Sequence, residues 1–173
     1  MLSLNIPKDV NIFINENWIE LKGPLGTIKK KKSKNIEISF DNITRKLWIN
    51  NENNSKVHFY ASILNKLLWG VWKGYSVKLN VIGVGYKAFL EQDSLVLKIG
   101  FSHNVNYSIP KNIKIKILNQ KLLTIVIFGQ NLQEVTQAAA EIKALKPIEP
   151  YKGKGIKYFN ETIKLKEGKK TNV

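Results

Sequence analysis

The sequence predicts an α+β protein with two similar tandem domains, each a small antiparallel sheet packed with one helix, followed by an extended basic C-terminal tail. Three observations predict this fold. Two long stretches have helical periodicity, and each follows a strand-like run. The two strand–helix units lie 77 residues apart. The sequence also has short stretches of alternating apolar and polar residues, such as 113–117. This alternation is typical of antiparallel strands with one face in water.

The first domain is expected over residues 1–74. Its helix should follow the strand-like run 46–50, because apolar residues then recur three or four positions apart at Val57, Ala61, Leu64, Leu68 and Val71. His58 is placed on this helix. Trp69 and Trp72, near its end, are interpreted as packing residues.

The second domain is expected over residues 75–146. It should begin with a strand at 75–82, and its helix should follow the apolar run 122–128, with Asn131 and Glu134 as a capping box. The helix would bury Val135, Ala138, Ala139, Ile142 and Leu145. The 77-residue offset also places the alternating run 36–40 on 113–117, which indicates a duplication, although a chance match of patterns is the alternative.

The tail is expected over residues 147–173. Pro147 and Pro150 end the second helix, and the regular pattern stops there. Residues 146–173 contain eight lysines and three acidic residues, with few core-forming side chains. Such a segment cannot order itself through its own burial, so we expect it to fold on contact with a partner.

The composition indicates a polyanionic partner. Lys and Arg number 28 against 13 Asp and Glu, a net charge of +15. Twenty-seven of these cations are lysines. Lysine, asparagine and isoleucine, all abundant here, have A/T-rich codons, so this preference indicates an A/T-rich genome such as that of an organelle.

Several classes of protein are excluded or disfavoured. The absence of cysteine excludes disulfides and cysteine-based metal sites. No apolar run approaches the roughly 20 residues of a membrane span, and the N-terminus lacks the features of a signal or transit peptide. His58 and His103 are the only imidazoles and have no nearby acid–base arrangement, so neither an enzyme nor a metal or cofactor site is expected.

The segment from Tyr151 to Tyr158 alternates lysine with glycine between two aromatic residues. Glycine lets the backbone approach a phosphate closely, lysine adds charge, and tyrosine can stack on a base. A solvated tail is the alternative. Lys29–Lys32 and Lys34 form a second charge run, which is either a solvated loop or a nucleic-acid contact.

Gly83-Val84-Gly85 has the start of a nucleotide-binding loop but lacks its third glycine and the helix that should follow. A bend or bulge, with Tyr86 packed or displayed, is the better interpretation.

Several segments, in order, resemble the bacterial-type large-subunit ribosomal protein L-six family. They include Leu21–Gly26, Val81–Ala88, Leu97–His103, Ala140–Lys143, Glu149–Tyr158 and Lys166–Lys170. The resemblance implies a non-enzymatic structural protein that binds large-subunit rRNA near the sarcin-ricin, factor-binding region. Neighbouring ribosomal proteins would be its other partners. Binding to a membrane or to a small-molecule substrate is not expected, and neither is a homo-oligomer.

The first domain departs most from the family pattern, so its contacts are left open. The expected RNA-binding residues are Tyr86, Lys87, Ser102, His103, Tyr151, Lys152, Gly153, Lys154, Gly155, Lys157, Tyr158, Lys164, Lys166, Lys169 and Lys170. An organelle-encoded mitochondrial member is expected, with a plastid or bacterial cytoplasm as the alternative. A free nucleic-acid-binding regulator is the alternative function.

Overall fold

The computed structural model describes residues 2–33, 36–51, 54–119 and 122–167. The chain divides into two compact units. The first comprises Met1–Tyr75 and Gln130–Leu132, and the second comprises Ser76–Gly129 and Gln133–Val173. No helix in the described ranges is long and apolar enough to cross a membrane.

The first unit contains two three-stranded antiparallel sheets and one helix. One sheet has the order β1-β6-β5 and the other β2-β3-β4. The elements are β1 Leu2–Asn5, β2 Asn11–Ile14, β3 Trp18–Gly23, β4 Gly26–Lys31, β5 Glu37–Asp41, β6 Lys46–Asn50 and α1 Asn54–Trp72.

The core of the first unit lies between α1 and the two sheets. All five apolar residues predicted to line this helix are buried, and Tyr60 joins them. They belong to one cluster with Ile19 and Leu21 of β3 and Leu47 and Ile49 of β6. The predicted helical face is therefore confirmed, because a helix can bury a stripe at this spacing against a sheet.

The second unit repeats this arrangement. Its sheets have the orders β11-β12-β7-β13 and β10-β9-β8. The elements are β7 Tyr75–Ile82, β8 Lys87–Glu91, β9 Ser94–Lys98, β10 Val105–Ser108, β11 Ile113–Asn119, β12 Leu123–Gly129, α2 Leu132–Leu145 and β13 Gly155–Tyr158.

The duplication extends to individual elements. A shift of 77 residues places β2 to β6 on β8 to β12 and α1 on α2, and the sheet order β1-β6-β5 corresponds to β7-β12-β11. The α+β fold in two tandem repeats is confirmed. Each repeat, however, has two small sheets where one was expected, because the three consecutive strands β2-β3-β4, and likewise β8-β9-β10, form a separate sheet.

The expectation that no part of the extended tail orders without a partner needs correction at Gly155–Tyr158. This segment is strand β13, paired antiparallel with β7, and its Ile156 is fully buried. The Ile156 N–H also donates to the Lys146 carbonyl oxygen at 2.8 Å. Sequence reasoning missed the strand because four residues with one buried side chain produce no detectable period, while an open edge of β7 supplies the hydrogen bonds.

Other local predictions have mixed outcomes. Lys29–Lys31 belong to β4 and not to a loop. His58 lies on α1 as predicted. The predicted packing role holds for Trp72, which packs against the core, whereas Trp69 is 43% exposed and meets Trp72 edge to face.

Candidate nucleic-acid interface

Three loops and the end of one helix converge on one side of the second unit. They are the turn after β7, the loop after β9, the C-terminal end of α2 and the loop that leads into β13. Together they form a shallow open cleft lined by Tyr86, Phe101, Leu145, Lys146, Pro147, Glu149 and Lys154.

Three glycines determine the position of Tyr86. The turn after β7 closes with the Tyr86 N–H donating to the Gly83 carbonyl oxygen at 3.3 Å, and Gly85 has a φ of +75°. The ring folds back over Gly83, where an added Cβ would lie 2.5 Å from ring carbons. It also covers Gly100, where the corresponding distance is 3.2 Å. The predicted bend at Gly83–Gly85 is therefore confirmed. The Tyr86 ring packs on Gly83 and Gly100 and also lines part of the cleft.

Phe101 and Lys146 form the opposite part of the cleft. The Lys146 Nζ lies 4.3 Å from the centroid of the Phe101 ring, a cation–π contact. The His103 ring also stacks on Phe101, with the two ring centroids 6.2 Å apart and an interplanar angle of 18°. Ser102 and His103 are exposed beside this pair.

The loop before β13 is an ordered turn. The Gly153 N–H donates to the Glu149 carbonyl oxygen, and the Glu149 N–H donates to the Lys154 carbonyl oxygen, both at 2.9 Å. Gly153 has a φ of +65° and therefore suits glycine. Tyr151 and Lys152 lie at the tip of the turn, where both are exposed. The turn thus holds an aromatic ring and a lysine out into solvent.

The chain beyond β13 returns to this turn. The Lys166 N–H donates to the Pro150 carbonyl oxygen at 2.9 Å, and a Leu165 methyl group lies 3.3 Å from the Cβ position of Gly153. Lys164 and Lys166 flank Leu165 and are exposed. The fold therefore brings them near the turn, although they are distant from it in sequence.

Lys157 and Tyr158 are turned toward the protein. The Lys157 Nζ donates to the Glu161 carbonyl oxygen at 3.1 Å, and the Tyr158 ring lies under the Lys143 Nζ at 4.7 Å. The Tyr158 N–H also donates to the Glu161 carboxylate. The structure thus places these two residues in intramolecular contacts, apart from the exposed tyrosine and lysines of the turn.

The remaining predicted residues have different surroundings. Lys87 is exposed at the start of β8, next to Tyr86, and Gly155 is buried at the start of β13. Lys169 and Lys170 lie outside the described residues.

The cleft is basic. In the part of the chain that the structure describes, the side chains of Lys87, Lys152, Lys154, Lys164 and Lys166 have no ion-pair partner. Glu149 is the acidic residue that lines the cleft. Unpaired ammonium groups attract phosphates, and aromatic faces beside them can stack on bases, so this arrangement suits a nucleic acid.

Sequence reasoning missed Phe101 and Lys146. Phe101 could have been found as an exposed aromatic beside the predicted Ser102 and His103. Lys146 could have been found as a cation between the last turn of a helix and a proline. Their proximity to one another, however, depends on how the β9–β10 loop and α2 meet in space.

Comparison with known proteins finds relatives among ribosomal proteins. A family model described as Ribosomal protein L6 matches residues 82–159. The large ribosomal subunit protein uL6m of Reclinomonas americana is 41% identical in an alignment of 179 positions. This alignment covers 96% of this chain and 95% of that protein. The large ribosomal subunit protein uL6 of Acidithiobacillus ferrooxidans is 38% identical over 165 residues, with 95% and 94% covered. That of Thioalkalivibrio sulfidiphilus is 40% identical over 168 residues, again with 95% and 94% covered.

The sequence-based resemblance is thereby confirmed. Identity at this level over nearly the whole chain shows that the protein belongs to the Ribosomal protein L6 family, whose members are structural proteins of the large ribosomal subunit and not enzymes.

Proposed function

We propose that this chain is a structural constituent of the large ribosomal subunit that binds rRNA through its second unit, which includes residues 147–173. The RNA would be the sarcin-ricin, factor-binding region that the family resemblance implies. The observation that carries this proposal is the convergence of exposed lysines and aromatic rings from separate loops on one side of the second unit. Phosphate contacts would position the protein, and the rings would stack on exposed bases.

Exposure and ion pairing support a narrower choice of RNA-binding residues. Lys152, Lys154 and Lys164 are three of the preferred phosphate ligands, since none has an ion-pair partner in the described ranges. Tyr151 is the preferred stacking residue because it is exposed at the tip of the turn. Tyr86 and Phe101 would contact RNA in the adjoining cleft, with His103 stacked beside Phe101. We expect Lys157 and Tyr158 to act mainly by holding β13 in place.

The setting we propose is the mitochondrial ribosome, with the gene in the organelle. The similarity to the mitochondrial protein uL6m of Reclinomonas americana and the A/T-biased composition support it. Bacterial relatives are nearly as similar, so a bacterial ribosome is the competing setting.

The salt dependence of binding to a large-subunit rRNA fragment containing the sarcin-ricin region tests this function. Each lysine–phosphate contact contributes about 0.9 to the slope of log affinity against log salt. The variant Lys152→Ala/Lys154→Ala/Lys164→Ala should therefore lower the slope by about 2 to 3.

A matched control removes three exposed lysines elsewhere in the same unit. Lys111, Lys114 and Lys116 lie on or just before β11, which is at the opposite edge of the sheet from β13. Their replacement by alanine should leave most of the slope intact. Equal losses in the two triple variants would reject the interface. Comigration with large subunits in high-salt gradients separates a ribosomal constituent from a free regulator.

A further inference from the structure

The sheet β2-β3-β4 of the first unit has one face turned to the core and one turned to solvent. Its inner residues Ile12, Ile14, Ile19, Leu21 and Ile28 pack in the core cluster of that unit. Strand alternation places the intervening residues on the other side. We call this outer surface the aromatic face, and it consists of Asn11, Phe13, Trp18, Glu20, Lys22, Thr27, Lys29 and Lys31.

Two large aromatic side chains are adjacent on the aromatic face. Phe13 pairs with Glu20, and Trp18, two residues earlier on the same strand, is therefore its diagonal neighbour. Diagonal neighbours lie about 7–8 Å apart, within reach of aromatic side chains. Phe13 is 56% exposed and Trp18 is 49% exposed. Neighbouring exposed aromatics on a strand face, unlike scattered ones, indicate a surface that a partner covers.

Lysines surround these rings. Trp18 pairs with Lys31, and Glu20 pairs with Lys29, whose Nζ lies 3.5 Å from the Glu20 carboxylate. Lys22 completes a set of three lysines against one glutamate on this face. Protein–protein interfaces are depleted of lysine at their centres, whereas lysines beside aromatic rings are the usual means of binding single-stranded nucleic acid. The charge therefore favours RNA as the occupant.

We propose that the aromatic face is a second RNA-binding surface, on which unpaired bases stack on Trp18 and Phe13 while Lys22, Lys29 and Lys31 bind the backbone. It is distinct from the cleft of the second unit and belongs to the domain whose sequence departs most from its family. The identity of this RNA as rRNA rests on the proposed function, whereas the stacking surface itself does not.

Binding of the full-length chain to a fluorescein-labelled uridine octamer tests this inference, because that probe has no duplex. The loss of one base–aromatic stack should change affinity about tenfold, which corresponds to about 1.4 kcal/mol. Trp18→Ala should therefore weaken binding about tenfold, and Trp18→Phe should retain most of the affinity. Phe59→Ala is the matched control, since Phe59 is an exposed aromatic of the same unit on α1.

Two further measurements separate stacking from other effects. Bound octamer should quench tryptophan fluorescence in the wild type, and this quenching should fall strongly in Trp18→Phe although the affinity remains. Lys22→Ala/Lys31→Ala should lower the salt slope by about 1 to 1.5, at about 0.7 per contact for a single strand.

Equal octamer affinities for Trp18→Ala and Phe59→Ala would overturn the inference. So would unchanged octamer binding combined with the loss of a neighbouring protein from assembled subunits, because that face would then be a protein interface. The variant Lys152→Ala/Lys154→Ala/Lys164→Ala distinguishes the two proposals. If it binds the rRNA fragment normally while Trp18→Ala still fails on the octamer, the proposed cleft interface is wrong and the aromatic face stands.

Discussion

The Nζ of Lys143 lies 2.7 Å and 2.8 Å from the two carboxylate oxygens of Glu161. Lys143 is in the last turn of α2, and Glu161 follows β13, so this ion pair ties the C-terminal segment to the helix. The hydrogen bond from Lys143, followed by that from the Tyr158 N–H, lowers the pKa of the Glu161 carboxyl group. Both side chains are about one-third exposed, which limits the strength of the pair.

We predict that Glu161→Gln destabilises the protein by about 1 kcal/mol at pH 7. The folded-state pKa of Glu161 is lowered, so its contribution is present above the unfolded-state pKa and is lost as pH falls through the folded value. Urea denaturation at pH 7 and pH 3 should show the difference between variant and wild type shrinking in acid. Glu167→Gln, at an exposed carboxyl, is the control, and a difference that persists at pH 3 would contradict the ion-pair explanation.

The strand β13 should be ordered without RNA. Because Ile156 is fully buried and its N–H donates to the Lys146 carbonyl oxygen, Ile156→Ala should lower the free energy of unfolding by about 2–4 kcal/mol. In the free wild-type protein, the Ile156 amide should be protected from hydrogen exchange, whereas the Lys152 amide should exchange rapidly. Rapid exchange at Ile156 until RNA is added would instead support folding on contact.

Gly155 should tolerate no other residue. Its φ is +139°, and an added Cβ would lie 2.6 Å from the Pro147 carbonyl oxygen, so Gly155→Ala should cost more than about 3 kcal/mol. Gly85 has a φ of +75° but open space around its Cβ position, and Gly85→Ala should cost about 1–2 kcal/mol. Thermal unfolding of both variants checks this order, and a smaller loss for Gly155→Ala than for Gly85→Ala would contradict the crowding at Gly155.

Gly83 and Tyr86 should show coupled energetics. The Cβ of Gly83→Ala would meet the Tyr86 ring at 2.5 Å, so this variant should lose about 2 kcal/mol of stability through displacement of the ring. Combined with Tyr86→Ala, the same change should cost little, which gives a coupling energy above about 1 kcal/mol in a double-mutant cycle. Additive losses would show that Tyr86 does not cover Gly83 in solution.

The predictable parts of this protein depend on local pattern. The buried stripe of α1 from Val57 to Val71 follows from a 3.6-residue period, and the strand at Tyr75–Ile82 follows from alternation. The candidate site was predictable only as a set of residue types. Tyr151 and Lys152 could be predicted as candidates because their motif is continuous, whereas the contact between Phe101 and Lys146 joins a loop to a helix end.

The sequence by itself determined the α+β class, the duplication, the basic character and the family. These properties are encoded in residue spacing, composition and short motifs that need no knowledge of the distant chain. Only the tertiary structure decided that Gly155–Tyr158 adds a strand to β7, that Lys157 and Tyr158 turn toward Glu161, and that Phe13 and Trp18 share an outer face. The physical reason is that each depends on contacts between segments: the open edge of β7 accepts the new strand, Glu161 accepts hydrogen bonds from Lys157 and Tyr158, and the register of β2 with β3 aligns the two rings.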